Sequence, residues 1–384
     1  MTAPRVVLHV GAPKSGTTYL QRSLWNRKNA LADVGVRCVG DLPRDMFHAA
    51  IGLRGSEKFW GMDAAEVRAT WERLVSQAHQ GSGTWVMSHE LLSLCTARQA
   101  ERALADLEGL DLHLVYTARD LGRQVPSEWQ ERVKNGSTVS FGEFERGIAE
   151  RMTGDRSGGT FWRAQSVVDV LQRWGEDLAP DHVHVVVAPK RGAAPELLWE
   201  RFGSAVGFDG QAITADAGAR SNQTLGSTQA ELLRRVNQRL GDRVPQPHYA
   251  RIVKRQFSQS TLTEQGSAPA RCSPELLQQL HDFALDQNAQ LEERGYQVHG
   301  DLAELVPDVA GGDAVDPSSI SGDELAEAAT TALADLLAER MPKAGEAGGR
   351  GGAGHTGAAR GRAAGASRSP VSALVGLLRN RGRR

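Results

Sequence analysis

Eight residues near the N-terminus carry the densest chemistry in the chain: "GAPKSGTT", Gly11 to Thr18. They follow "RVVLHV", a β-branched and apolar run that reads as a strand buried on both faces. They precede a stretch over 17–29 in which Leu20 and Leu24 share one helical face. A strand, a glycine turn and a helix N-terminus make an anion site, because free N–H groups and the helix dipole both favour negative charge. Gly11 and Gly16 allow a tight turn and close approach of a ligand. Thr17 and Thr18 add hydroxyls in the first helical turn, and Lys14 can reach across the anion.

A Walker A loop has its lysine directly after the second glycine, G-x-x-x-x-G-K-[ST]. Here Thr17 holds that place and the lysine is Lys14. Strand ends such as "LVYTARD" and "VVVAPK" bring arginine and lysine rather than the acid that holds Mg²⁺ beside a triphosphate. A transferred group with a single negative charge needs less neutralisation and can dispense with the metal. A sulfuryl group on a phosphosulfate meets that description.

A second constellation is "VYTARDLGRQVPSEWQ". Arg119 falls at the carboxyl end of an expected strand, where open α/β sheets bind ligands. Ser127 follows eight residues later on the next helix, and the pair can clamp a second phosphate. An ordinary ion pair between Arg119 and Asp120 is the competing reading.

With both motifs in view, the sequence resembles the sulfotransferases that use 3′-phosphoadenylyl sulfate. "PKSGTTYL" looks like their 5′-phosphosulfate loop and "VYTARDLGRQVPSEW" like their 3′-phosphate strand and helix, with a looser likeness from Val6 to about Phe208. The resemblance implies a P-loop-like fold and in-line sulfuryl transfer to an acceptor hydroxyl, without a metal. It implies that Lys14, Ser15, Gly16, Thr17 and Thr18 hold the 5′-phosphosulfate, with Lys14 also stabilising the leaving oxygen. Arg119 and Ser127 are implied to hold the 3′-phosphate. The acceptor's proton goes to a base just past the strand between the motifs. That place reads "WVMSHELLS", where Glu90 and His89 both qualify, and a carboxylate in a partly desolvated cleft is expected to have a raised pKa.

These residues must be positioned by alternating strands and helices, which continue to about Phe208 and imply a mostly parallel central sheet in a three-layer α/β fold. The expected core is 1–210, completed by helices over 211–310 that include "SPELLQQLHDFALDQNAQLEERG". Residues 41–61 lack clear periodicity and read as an irregular insertion, with His48 a secondary candidate for acceptor contact. "ARSNQTLGS", beginning at Arg220, is a loose counterpart of a late phosphate-closing loop. Trp162 and Trp174 read as core. Residues 311–384 read as a low-complexity, largely disordered tail with short helices, one of them an isolated amphipathic helix over "DELAEAATTALADLLAERM".

Bulk properties narrow the function. The 384 residues are 40% hydrophobic and 24% charged, with a formal net charge of −1, which argues against nucleic acid as a general partner. Beyond Pro342 the only acid is Glu346, so the tail is basic, and its last segment "VSALVGLLRNRGRR" leaves open contact with a membrane surface. Three widely spaced cysteines form neither a disulfide framework nor a zinc spacing. No signal peptide or membrane-spanning run is read, so a cytoplasmic enzyme acting on a small-molecule or glycan acceptor is expected. The rival readings are a P-loop small-molecule kinase and a nucleotide-binding module without turnover.

Overall fold

A computed structural model describes residues 3–154, 156, 159–216, 224–310 and 315–339. Six strands form one all-parallel sheet in the order β2-β3-β1-β4-β5-β6. They are β1 Arg5–His9, β2 Val36–Cys38, β3 Thr84–Ser88, β4 Asp111–Ala118, β5 Val183–Val187 and β6 Gln297–His299. The strands carry Val, Leu and Met on alternating sides because both faces are covered. Val6, Leu8 and Val10 join Leu114, Tyr116, Val185 and Val187 in one core, with Phe47, Trp71, Leu92 and Trp174. Val7, Val115 and Val186 face the other side with Leu20, Leu24, Trp199 and Phe202. The molecule is therefore the three-layer α/β fold expected.

The first strand lies in the middle of the sheet. The chain passes from β1 through β2 and β3 on one side, then returns past β1 to β4 on the other. In open α/β sheets, a reversal of this kind opens a crevice at the carboxyl ends of the two flanking strands. The loop after β1 and Arg119 after β4 both open into it.

A second core of helices backs this crevice. Trp129 and Val133 of the helix Leu121–Lys134 meet Phe141, Leu233, Leu262, Leu277 and Leu280. Trp162 and Trp174 are fully buried, as expected of core residues.

Three sequence readings change. Residues 41–61 are not irregular: Asp45–Arg54 is a helix that buries Met46, Phe47, Ala50, Ile51 and Leu53. Gly52 obscured its pattern, and a Cβ there would come 2.6 Å from the Val67 carbonyl oxygen, so helix contact requires glycine. The helix Gly322–Ala338 is not isolated: Leu325, Ala328 and Ala332 are buried in the second core. The sixth strand, Gln297–His299, is too short to show an alternation. Arg220 and the tail beyond 339 lie outside the described residues.

Candidate functional site

The loop after β1 is laced onto β4. The amides of Val10 and Ala12 donate to the carbonyls of Val115 and Thr117. Three successive loop carbonyls are taken up by side chains. The Ala12 carbonyl accepts from the Ser15 hydroxyl at 2.7 Å. That of Pro13 accepts from both Gln124 and Gln165 at 2.9 Å, and that of Lys14 from Arg119 Nη1 at 2.9 Å. The Ser15 amide closes the turn onto the Ala12 carbonyl at 3.3 Å, so a nest here rests on the amides to either side of it. Lys14 has φ 68° and Gly16 has φ 97°, flanking a residue of ordinary φ. Such alternation makes a concave nest of N–H groups, an anion receptor. A left-handed lysine costs of order 1 kcal/mol, and strain of this kind collects at ligand sites. At Gly16 the positive φ disfavours any side chain, and a Cβ there would also push on Leu198 Cδ2 at 2.4 Å.

Each loop residue has its place. Thr17 is buried and Thr18 half-buried at the start of the helix Thr17–Asn26. Ser15 is buried, with its hydroxyl turned inward to Thr117 Oγ1 at 2.6 Å. Its amide also donates to the Ala12 carbonyl, at 3.3 Å, so Ser15 braces the loop through both hydroxyl and backbone rather than facing an anion. Beneath it His9 is fully buried between Ser88 Oγ at 2.8 Å and Thr117 Oγ1 at 3.3 Å. Burial pushes the His9 imidazole down to about 3, so it is neutral and serves as a strut.

Lys14 does not lie free across the loop. Its Nζ donates to Glu131 Oε2 at 2.6 Å, while Lys254 Nζ, from the π-helix Ala250–Leu262, donates to Glu131 Oε1 at 2.8 Å. Burial opposes charge on Lys14 and on Glu131. For Glu131 it is outweighed by Lys14 and Lys254, which hold the carboxyl well below the usual carboxylate range. For Lys14 it is outweighed by Glu131, which raises the ammonium above its ordinary value. Glu131 lies one helical turn past Ser127.

Arg119 and Ser127 meet as their spacing implies: Arg119 Nη1 donates to Ser127 Oγ at 3.2 Å. The same nitrogen reaches the Lys14 carbonyl and Gln124 Oε1. All three acceptors are neutral. Burial, with Arg123 adding repulsion, presses the Arg119 pKa down to about 9. A cation left this poorly compensated is poised to take an anion. Asp120, the competing partner, instead caps the following helix through the Gly122 amide at 2.8 Å. Beside Arg119 lies a small, solvent-open depression lined by Ala118, Leu121, Gln165, Phe283 and Gln287.

His89 and Glu90 follow β3 on the other side of β1, and both are largely buried. The expected raised carboxyl pKa is corrected here. Burial does raise Glu90, but His89 and a 2.7 Å hydrogen bond from Gln21 Nε2 outweigh it, so the value falls below normal. Burial lowers His89 as well, with Glu90 only partly offsetting it. His89 Nδ1 accepts from the Leu91 amide at 3.1 Å, so neutral His89 carries its proton on Nε2. Of the two, Glu90 is the group with a lone pair ready for a proton. His48 packs within the helix Asp45–Arg54, its Nδ1 4.0 Å from Glu66.

Gln21, Gln124, Glu131, Gln165 and Lys254 were not legible as site residues. Gln124 and Glu131 share the helix of Ser127 at spacings of three and four, the one signal that could have found them. Gln165 and Lys254 come from helices without a motif.

A scan against protein-family models finds no match, and searches of curated proteins and of solved structures find none either.

Proposed function

We propose that this chain is a sulfotransferase that moves the sulfuryl group of 3′-phosphoadenylyl sulfate to an acceptor hydroxyl. The observation carrying the reading is Arg119. One guanidinium nitrogen reaches both the carbonyl of Lys14 in the loop and the hydroxyl of Ser127, joining two motifs 105 residues apart. Two anion sites in one crevice suit a ligand with phosphate-like groups at both ends, as a 3′-phosphorylated nucleoside phosphosulfate has.

The loop amides and the N-terminus of the helix Thr17–Asn26 would receive the 5′-phosphosulfate. Arg119 and Ser127 would receive the 3′-phosphate. Glu90 would accept the acceptor's proton as the new oxygen–sulfur bond forms and the bond to the 5′-phosphate oxygen breaks. Lys14 would leave Glu131 to stabilise charge on that leaving oxygen, releasing 3′,5′-adenosine bisphosphate. The acceptor is a small molecule or glycan bound over Glu90.

Calorimetric titration with 3′,5′-adenosine bisphosphate in EDTA tests the site. The reading expects saturable binding that Arg119→Ala weakens about 10- to 150-fold, the loss of a charge-assisted hydrogen bond of about 1.5–3 kcal/mol. Binding of ATP only with Mg²⁺ would support a small-molecule kinase instead. Binding of the bisphosphate without sulfuryl transfer to any acceptor would support a regulatory module.

A further inference from the structure

At the opposite end of the sheet, four histidines and an aspartate meet. Asp111 and His113 open β4, His182 sits in the turn Pro180–His182 before β5, His184 is on β5 and His299 on β6. Asp111 opens β4 and Arg119 directly follows its last residue, so this cluster lies about 26 Å from the donor crevice. None of its members takes part in the proposed transfer. One ligand atom from each of Asp111, His113 and His182 falls within a 4.8 Å envelope. Asp111 Oδ1 is 3.5 Å from His113 Nε2 and 3.8 Å from His182 Nδ1. Nitrogen and oxygen ligands on a tetrahedral zinc ion are about 3.3–3.5 Å apart, given bond lengths near 2.1 Å.

We infer that Asp111, His113 and His182 form a binding site for a divalent transition metal, zinc being the best fit. The groups behind it support the assignment. His113 Nδ1 is 3.0 Å from His184 Nε2, and His184 Nδ1 is 3.1 Å from His299 Nε2. With a metal on His113 Nε2, its Nδ1–H donates to His184, whose own Nδ1–H donates to His299. Every contact then holds one proton and every tautomer is fixed, as is usual for the groups behind a metal-bound imidazole.

One adjustment is needed. The His113 and His182 rings stack at 4.2 Å with 20° between their planes, so their lone pairs do not yet converge. His182 must turn about its Cβ–Cγ bond and give up its contact with the Leu112 carbonyl at 3.2 Å. Its side chain is 33% exposed, so the ring can turn toward solvent. Asp111 is 41% exposed, which leaves the fourth position to water. A metal here would pin the entry of β5 to that of β4, a structural role far from the transfer chemistry.

The test uses the full chain stripped with a chelator, then titrated with ZnCl₂ by calorimetry and with CoCl₂ by visible absorption. One saturating equivalent is expected, with the intense visible band of tetrahedral cobalt. Asp111→Asn and His182→Ala should each weaken zinc at least tenfold. His184→Gln, which touches no metal, should weaken it about tenfold through His113. Should the double variant melt lower than wild type in chelator, the solvent-facing single change His182→Ala carries the test. Absence of a saturable equivalent would overturn the inference, as would zinc binding unaltered in the Asp111→Asn/His182→Ala protein. Neither outcome bears on sulfuryl transfer, since the readout is metal binding alone.

Discussion

Lys14 is held by a carboxylate that also holds a second lysine. Glu131 accepts from Lys14 at 2.6 Å and from Lys254 at 2.8 Å, with side-chain exposures of 29% and 5% for the two lysines. Removing a partner from a buried ion pair is far worse than never having built one. Glu131→Ala should therefore cost about 3 kcal/mol in urea unfolding, the low end of the range because Lys14 keeps some solvent. The sign with pH follows from the lowered Glu131 pKa. This stabilisation is complete above the unfolded carboxylate value and is lost as pH falls through the folded one. Lys14→Ala should leave the fold intact and abolish transfer; near wild-type turnover would remove Lys14 from the chemistry. Glu90 is ionised well below neutrality, so kcat/KM should hold steady from pH 7 down to about pH 5. An acid limb within that range would exclude its carboxylate as the base, and retained activity in Glu90→Gln would do the same.

The strand–loop–helix unit is the element that makes the site, and its conformation is fixed by a few positions. Gly16→Ala forces a Cβ into Leu198 at a φ of 97°, so it should lower the melting temperature and weaken nucleotide binding together. His9 anchors the same unit from below. Its pKa falls from 6.5 to about 3 on folding, so between those values the unfolded chain binds one more proton. Stability is complete above pH 6.5 and declines on acidification by about 1.4 kcal/mol per pH unit from this residue. His9→Gln should remove that increment from the slope, and an unchanged slope would mean His9 is not held neutral. These elements differ in how plainly the sequence announces them. The loop was legible because its glycines, lysine and threonines are local, and Arg119 and Ser127 because their spacing is one strand end and one helix. The helix Asp45–Arg54 was hidden by Gly52, whose reason is contact with a distant helix. Gln124 and Gln165, which brace Pro13 from two helices, are spelled by no local pattern. The depressed Glu90 pKa depends on Gln21 and His89 lying against it, a matter of packing.

Across the whole molecule, the order β2-β3-β1-β4-β5-β6 makes β1 and β4 central neighbours and brings the two motifs together at the carboxyl end of the sheet. Strand content and parallel pairing follow from alternating strands and helices, but the position of β1 in the middle does not. The second helical core, including Gly322–Ala338, supports the helix that carries Ser127 and Glu131. No helix among the described residues is long and apolar enough to cross a membrane. The central claim is that loop and clamp form a single donor site for sulfuryl transfer. The most direct test is incubation with 3′-phosphoadenylyl [³⁵S]sulfate and a cell extract in EDTA, followed by mass spectrometry of labelled products. The account predicts acceptors gaining one sulfo group with the wild-type chain and none with Lys14→Ala. No labelled product, or equal labelling by Lys14→Ala, would contradict it.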